Sequence, residues 1–324
     1  MMLNPAFATA AATMTGALLI TARAAARERA IEARHPPEGD LLDVDGVQVH
    51  AVVHGEGPDL VLLHGASGNS RDFTFSLMDK LAPRYRVIAL DRPGLGYTGR
   101  TDPAYASAFT DRAETPTEQA RLMKAAAAHL GAEAPLVLGH SFGGTIALAW
   151  ALEGGPSALI LLGAPAMEWP GGLGPIYTIT GSAMGGAFAV PTLTATIPEG
   201  HIRALVDRTF RPNQPPPGYD DHLGPLLTLR RDSLRANGRQ VNNLKPQIVE
   251  MQQRYADLTL PIEWIHGTQD ETVPAHIHAH PFKALVPHTN LTMLDGVGHM
   301  PHHDDEPTTI AAIDRAADRA TDGA

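Results

Sequence analysis

The sequence predicts an α/β fold: a mostly parallel sheet covered by helices on both faces, with one helical insertion. Three observations predict it. Short, continuous apolar runs alternate with helix-compatible stretches from residue 41 to about 163. That rhythm stops in the middle third, where Pro165, Pro170, Pro175, Pro191, Pro198, Pro212 and Pro215-Pro216-Pro217 leave no room for central strands. It then returns near residue 262. Continuous apolar runs are the mark of strands buried on both faces, as parallel strands are.

Taken in order, the breaker cluster His35-Pro36-Pro37-Glu38-Gly39 precedes the folded body. Leu41–Asp45 and Val47–Val53 flank Asp45-Gly46, a hairpin signal. Leu60–Leu63 and Arg86–Leu90 are the next strands, with a helix expected between them from about Ser70 to Leu81. Leu136–Leu138 and Ala158–Leu162 follow, separated by helical stretches at about Thr117–Leu130 and Phe142–Leu152. Residues 164–256 form the insertion, in which His201–Arg208 and Leu226–Arg235 fit helices between breakers. Strands at Ile262–His266 and Leu291–Leu294 and a last helix from about Pro307 to Arg319 complete the body.

The 324 residues are 44% hydrophobic and 19% charged, within the range for a folded protein with a sizeable core. A net charge of −10 and the lack of a basic stripe argue against a nucleic-acid partner. No cysteine occurs, which excludes disulfides, thiolate metal sites and cysteine nucleophiles. Pro5–Ala22 is an uncharged run followed by Arg23, Arg27 and Arg29. One reading is a membrane anchor, which by the positive-inside rule leaves the body on the cytoplasmic side. The other is an Ala-rich helix packed on the protein. A signal peptide is disfavoured, because Met1–Asn4 carries no basic side chain.

Gly139-His140-Ser141-Phe142-Gly143-Gly144 carries the chemistry. It is a G-x-S-x-G match between an apolar strand and a helix, the context such a motif requires. A serine on so tight a turn needs neighbours without side chains, and Gly139 and Gly143 supply them. The turn aims the Ser141 hydroxyl out of the sheet and presents the Phe142 N–H, at a helix N-terminus, to a developing oxyanion. A serine hydroxyl is a weak nucleophile and needs a base, which a neutral imidazole oriented by a carboxylate provides. Asp270 and His299 each follow a strand and therefore share the sheet edge with Ser141. Among rivals, Asp91 is too early in the chain, Glu271 loses to Asp270 on loop pattern alone, and Glu168 remains an alternative acid.

With that motif in its context, residues 41–319 resemble the α/β-hydrolase superfamily, and three other segments match in the right order. Leu62-Leu63-His64-Gly65-Ala66-Ser67-Gly68 looks like the family's oxyanion loop, Asp91-Arg92-Pro93-Gly94-Leu95-Gly96-Tyr97 like its D-x-P-G-x-G turn, and Gly267–Pro274 with Gly296-Val297-Gly298-His299 like its acid and histidine loops. The resemblance implies an eight-stranded, mostly parallel sheet with an inserted helical cap. It also implies a second oxyanion donor at the Ala66 N–H, with His64 and Gly65 supporting that loop. The D-x-P-G-x-G turn is read as structural, shaping the pocket rim, and His140 as pointing into the support of the turn.

Serine at residue 141 disfavours the dehalogenase and epoxide-hydrolase chemistry of the family, which uses aspartate there. What remains is acyl chemistry. Carboxylester hydrolysis through an acyl-enzyme on Ser141 is the first reading; C–C bond hydrolysis, lactone hydrolysis and a haloperoxidase-like activity stay open. A non-catalytic ligand-binding protein and an anchored accessory protein are the readings from other classes. Trp169, Ile176, Tyr177, Phe188, Leu193 and Phe210 in the insertion suggest either an apolar acyl pocket or the insertion's own small core. His276, His278 and His280 with His302, His303, Asp304 and Asp305 raise a metal reading, but their spacing does not gather ligands on one helical face. Neither a metal nor a cofactor is expected.

Overall fold

A computed structural model describes the backbone of residues 5–322 and the side chains of residues 13–322. One eight-stranded sheet organises the chain. The strands are β1 (Asp40–Val44), β2 (Val47–His54), β3 (Asp59–Leu63), β4 (Arg86–Leu90), β5 (Leu136–His140), β6 (Ala158–Leu162), β7 (Ile262–Gly267) and β8 (Asn290–Leu294). Their order across the sheet is β1-β2-β4-β3-β5-β6-β7-β8. β2 is antiparallel to both β1 and β4, and all later pairs are parallel. Asp45 and Gly46 close the first hairpin with φ of 53° and 82°, the two left-handed residues that a tight two-residue turn demands.

Alternation along the strands divides the core. Leu60, Leu62, Leu136, Leu138, Ile160 and Leu162 face the final helix, Glu306–Asp322, which contributes Ile313. Val61, Leu63, Val137, Leu159 and Leu161 face the opposite way, onto helices Pro116–His129 and Phe142–Leu152. Each of these strand residues is at most 3% exposed, so both faces of the sheet are dry.

Between β6 and β7 the chain contains no strand. Helices Pro175–Gly181, Val190–Thr196, Glu199–Phe210, Tyr219–Leu223, Arg231–Asn242 and Leu244–Met251 fill that stretch, joined by short turns of tighter or wider helix. The helix expected over Leu226–Arg235 is divided at Arg230, which adopts extended backbone. Its guanidinium instead donates to Glu32, to the carbonyl of Gly96 and to the carbonyl of Leu227. The helix expected over Ser70–Leu81 is likewise two short ones, Arg71–Thr74 and Leu77–Leu81, parted at Ser76, whose φ is −155°. There Arg71 is drawn to Glu38 and to the carbonyl of Pro36, and Asp72 is buried.

The anchor reading of Pro5–Ala22 is not supported. No helix among the described residues is long and apolar enough to cross a membrane. The segment is part of a 30-residue helix, Pro5–Arg34, too rich in Ala and Thr to be strongly apolar. Its arginines serve packing: Arg23 donates to the carbonyl of Ala195 at 2.9 Å and Arg27 to that of Thr194 at 3.1 Å. Further along, Glu28 pairs with Arg231, and Ile31 is buried against Leu226, Leu227 and Leu229. The side chains of residues 5–12 lie outside the described ones.

Candidate active site

β5 runs directly into helix Phe142–Leu152 through Ser141, whose φ of 51° and ψ of −122° are strained for a residue with a side chain. Two backbone bonds hold it: Ser141 N–H to Leu162 O and Gly144 N–H to Ser141 O, both 2.8 Å. The flanking glycines are sterically required. A Cβ on Gly139 would stand 2.3 Å from Gly143 O, and one on Gly143 would stand 2.0 Å from Leu63 O. The turn can close against β3 only where those side chains are absent.

The ends of β7 and β8 deliver the partners. His299 Nε2 lies 2.9 Å from Ser141 Oγ, and His299 Nδ1 lies 2.7 Å from Asp270 Oδ2. These three side chains therefore stand in one hydrogen-bonded file across residues distant in sequence. Asp270 is almost fully buried, and its Oδ1 accepts from the N–H groups of Thr272 at 2.9 Å and Val273 at 2.8 Å. Burial pushes its carboxyl up, but the electrostatic interaction with the adjoining His299 and hydrogen bonds from His266 and His299 outweigh that. The net result holds it well below the usual carboxylate range. His266 was not anticipated: its Nε2 donates to Val273 O at 2.7 Å and stands 3.3 Å from Asp270 Oδ2. Nor was Gly163, where a Cβ would press on Asp270 Oδ2 and His299 Nδ1, each at 3.3 Å. The rival acids lie elsewhere: Glu168 and Glu271 are exposed, and Asp91 is buried against His50 at 2.7 Å.

The His64–Gly68 loop crosses close to Ser141, since a Cβ on Gly65 would be 3.2 Å from that of Ser141. Phe142 is the first residue of its helix, so its N–H has no intrahelical acceptor. His64 is fully buried, and its two nitrogens have opposite roles. Nε2 accepts from the Arg92 N–H at 2.9 Å, so the proton sits on Nδ1, which donates to Gly65 O at 2.8 Å. Burial, and then the charge of Arg92, push this imidazole down to about 4, which keeps it neutral. Ser67, with φ of 58°, has all three of its polar groups held by residues of the insertion. Its N–H donates to Asn237 Oδ1 at 2.7 Å, its Oγ accepts from Asn237 Nδ2 at 2.9 Å, and its carbonyl accepts from Thr228 Oγ1 at 2.7 Å. No sequence motif marks Asn237 or Thr228, which are otherwise ordinary helix and turn residues.

Behind His299 lies a buried polar cluster. His140 Nε2 donates to the backbone carbonyl of His299 at 2.9 Å. Its other nitrogen stands 3.6 Å from Asp72 Oδ2. Asp72 in turn accepts from Tyr219 Oη at 2.7 Å, His303 Nε2 at 2.8 Å and His302 Nε2 at 3.1 Å. Asp72, His140 and His302 are the described residues whose ligating atoms gather within 4.8 Å of one another. This set differs from the one weighed from the sequence: His278 instead accepts from the N–H groups of Ala166 and Met167, and His276 and His280 are exposed. The aromatic and aliphatic residues of the insertion, read as an acyl pocket or as the insertion's own core, also divide. Phe210 is buried with Tyr219 and Met300, Trp169 and Tyr177 are half-buried, and Ile176 and Phe188 are exposed.

Comparison with known proteins agrees with this architecture. An uncharacterised protein of Mycobacterium tuberculosis is 27% identical over 314 residues, covering 87% of this chain and 82% of its own. A pimeloyl-[acyl-carrier protein] methyl ester esterase of Xanthomonas campestris is 28% identical over 269 residues, covering 78% of this chain and 92% of its own. Among solved structures, an esterase from Exiguobacterium antarcticum superposes with a TM-score of 0.67 at 20% identity, over 86% of this chain and 99% of that one. The model of the alpha/beta hydrolase family matches residues 60–313. That span holds Ser141, Asp270 and His299 and, from Leu60 in β3, the strands through β8, and the chain belongs to the alpha/beta hydrolase family.

Proposed function

We propose that this hydrolase cleaves carboxylic esters through an acyl-enzyme on Ser141. The observation that carries the proposal is the file Ser141–His299–Asp270, with spacings of 2.9 and 2.7 Å. His299 Nε2 takes the Ser141 proton as Oγ bonds to the substrate carbonyl carbon, and the carbonyl π pair moves onto oxygen. The N–H groups of Ala66 and Phe142 receive that oxyanion. Its collapse breaks the C–O bond, and the alcohol leaves with the proton from His299. A water then attacks the acyl-enzyme by the same route, releasing the acid and restoring Ser141.

The carboxylate of Asp270 keeps the His299 proton on Nδ1 and stabilises the imidazolium formed in each step. Relatives that are esterases favour an ester over a C–C bond or a lactone, and the half-buried Trp169 and Tyr177 favour an apolar acyl group. The test is a panel of p-nitrophenyl esters of graded acyl length on the full chain, with Ser141→Ala in parallel. Hydrolysis is expected to fall by several orders of magnitude in the variant, leaving what oxyanion binding alone provides. A Ser141→Ala protein working at the parent rate would refute the scheme.

A further inference from the structure

Arg92 opens a turn that reads from sequence as a rim feature, yet its side chain is wholly buried. Its guanidinium has no carboxylate partner among the described residues. Nη1 donates to Gln119 Oε1 at 2.9 Å and Gln240 Oε1 at 3.3 Å. Glu114, the acid whose charge reaches it, is bound bidentately by Arg100. A buried cation with neutral partners is costly, and burial indeed pushes Arg92 down to about 9. Such a charge calls for a reason.

Two contacts supply one. Nη2 donates to the carbonyl of Gly65 at 3.1 Å, and the guanidinium lies over the Phe142 ring, 4.4 Å from its centroid. Gly65 C=O and Ala66 N–H belong to the same peptide unit, and this unit is trans, since among the described residues the one cis bond is Arg211-Pro212. In a trans peptide the N–H points opposite to the C=O. Arg92 and the His64 Nδ1–H, 2.8 Å from the same oxygen, thus pull on one end of the dipole whose other end is the Ala66 N–H.

We infer that Arg92 is a positioning residue for the oxyanion: by capping the Gly65 carbonyl it orients and polarises the 65–66 peptide so that the Ala66 N–H donates more strongly to the charge formed during acyl transfer. Arg92 places its cation in line behind one donor and against the side chain of the other. The inference rests on the acyl-transfer reading above. Hydrogen bonds in series polarise one another, and fixed dipoles aimed at developing charge act on the transition state rather than on the bound ester. The effect therefore belongs in kcat, with little in KM.

The experiment compares wild type, Arg92→Lys, Arg92→Gln and Arg92→Met on one p-nitrophenyl ester. Each protein is also titrated with a trifluoromethyl ketone of the same acyl chain, which forms an oxyanion on Ser141, and with the matching carboxamide, which does not. Removing a whole oxyanion donor costs about 100- to 1,000-fold, so weakening one should lower kcat by about 10- to 100-fold. KM and carboxamide affinity should stay within about twofold, while ketone affinity falls in parallel with kcat. Arg92→Lys, which keeps the charge, should recover part of the loss. Circular dichroism identifies any variant that fails to fold, and the Gln and Lys proteins decide the matter if Met does not fold. Equal losses of ketone and carboxamide binding, or unchanged kcat in a folded variant, would overturn the inference while Ser141→Ala remains inactive. Parental activity in Ser141→Ala would instead overturn the acyl-transfer reading and this inference with it.

Discussion

Replacing Asp270 with asparagine is a nearly isosteric change whose consequence follows from hydrogen-bond directions alone. Oδ1 of Asp270 is fixed by two backbone donors, Thr272 N–H and Val273 N–H, at 2.9 and 2.8 Å. An asparagine must offer its carbonyl oxygen to that pair, because turning its NH2 toward them would face donors with donors. The NH2 then points at His299 Nδ1, 2.7 Å away in the parent, and Nδ1 must accept. The imidazole proton moves to Nε2, where it faces Ser141 Oγ, and the ring can no longer take the serine proton. An equivalent wrong-tautomer substitution in the chymotrypsin-type proteases lowers kcat by about 10⁴-fold, or about 5 kcal/mol of transition-state stabilisation. The same size is expected here, with the fold intact.

The assay is stopped-flow hydrolysis of a p-nitrophenyl ester, reading both the acylation burst and the steady state, with Glu168→Gln as control. Glu168 is exposed, so its variant should retain parental kcat. An Asp270→Asn enzyme within tenfold of wild type, or a Glu168→Gln enzyme as impaired as Asp270→Asn was expected to be, would refute the assignment of the acid.

Two further outcomes test the surroundings. Asn237→Ala removes both side-chain bonds to Ser67, next to the Ala66 N–H. It should reduce unfolding free energy in urea by about 1–3 kcal/mol and lower kcat/KM, and an unchanged enzyme would show that the insertion does not hold the loop. Stability should also decline below neutral pH. His64 is held neutral with its value lowered to about 4, so between about 6.5 and 4 the unfolded chain binds a proton that the folded one does not. Stability from this residue is complete above the unfolded value and falls by about 3 kcal/mol as pH drops to 4. His140 and His302, lowered by burial, add in the same direction, while Asp304, raised by burial to about 6, opposes them. A urea midpoint that is flat from pH 7 to 4.5 would contradict this account.

Several features were legible in sequence because they obey local rules. The later strands follow from short apolar runs, the first two from the hairpin signal Asp45-Gly46, and the Ser141 turn from Gly139 and Gly143, where a Cβ would meet Gly143 O and Leu63 O. The file of Ser141, His299 and Asp270 was legible too, since each residue sits just past a strand end of one sheet. Helix ends were less so. Arg230 and Ser76 interrupt stretches with helical patterning because distant groups claim their side chains or neighbours, which no window along the chain contains.

The first helix shows the same limit. An uncharged run followed by arginines reads equally as an anchor or as a packed helix, and carbonyls at residues 194 and 195 decide what those arginines do. Hydrophobic period and turn stereochemistry, being properties of neighbours, thus determined the sheet, the order of its loops and the Ser141 turn. Beyond Ser141, Asp270 and His299, which buried groups face one another was decided only by folding. Asp72 behind His299, Asn237 on Ser67 and Arg92 on Gly65 are each 27 to 230 residues from a partner. Electrostatics and hydrogen bonding act through a few ångströms of space, and the chain brings those ångströms together without leaving a pattern along its length.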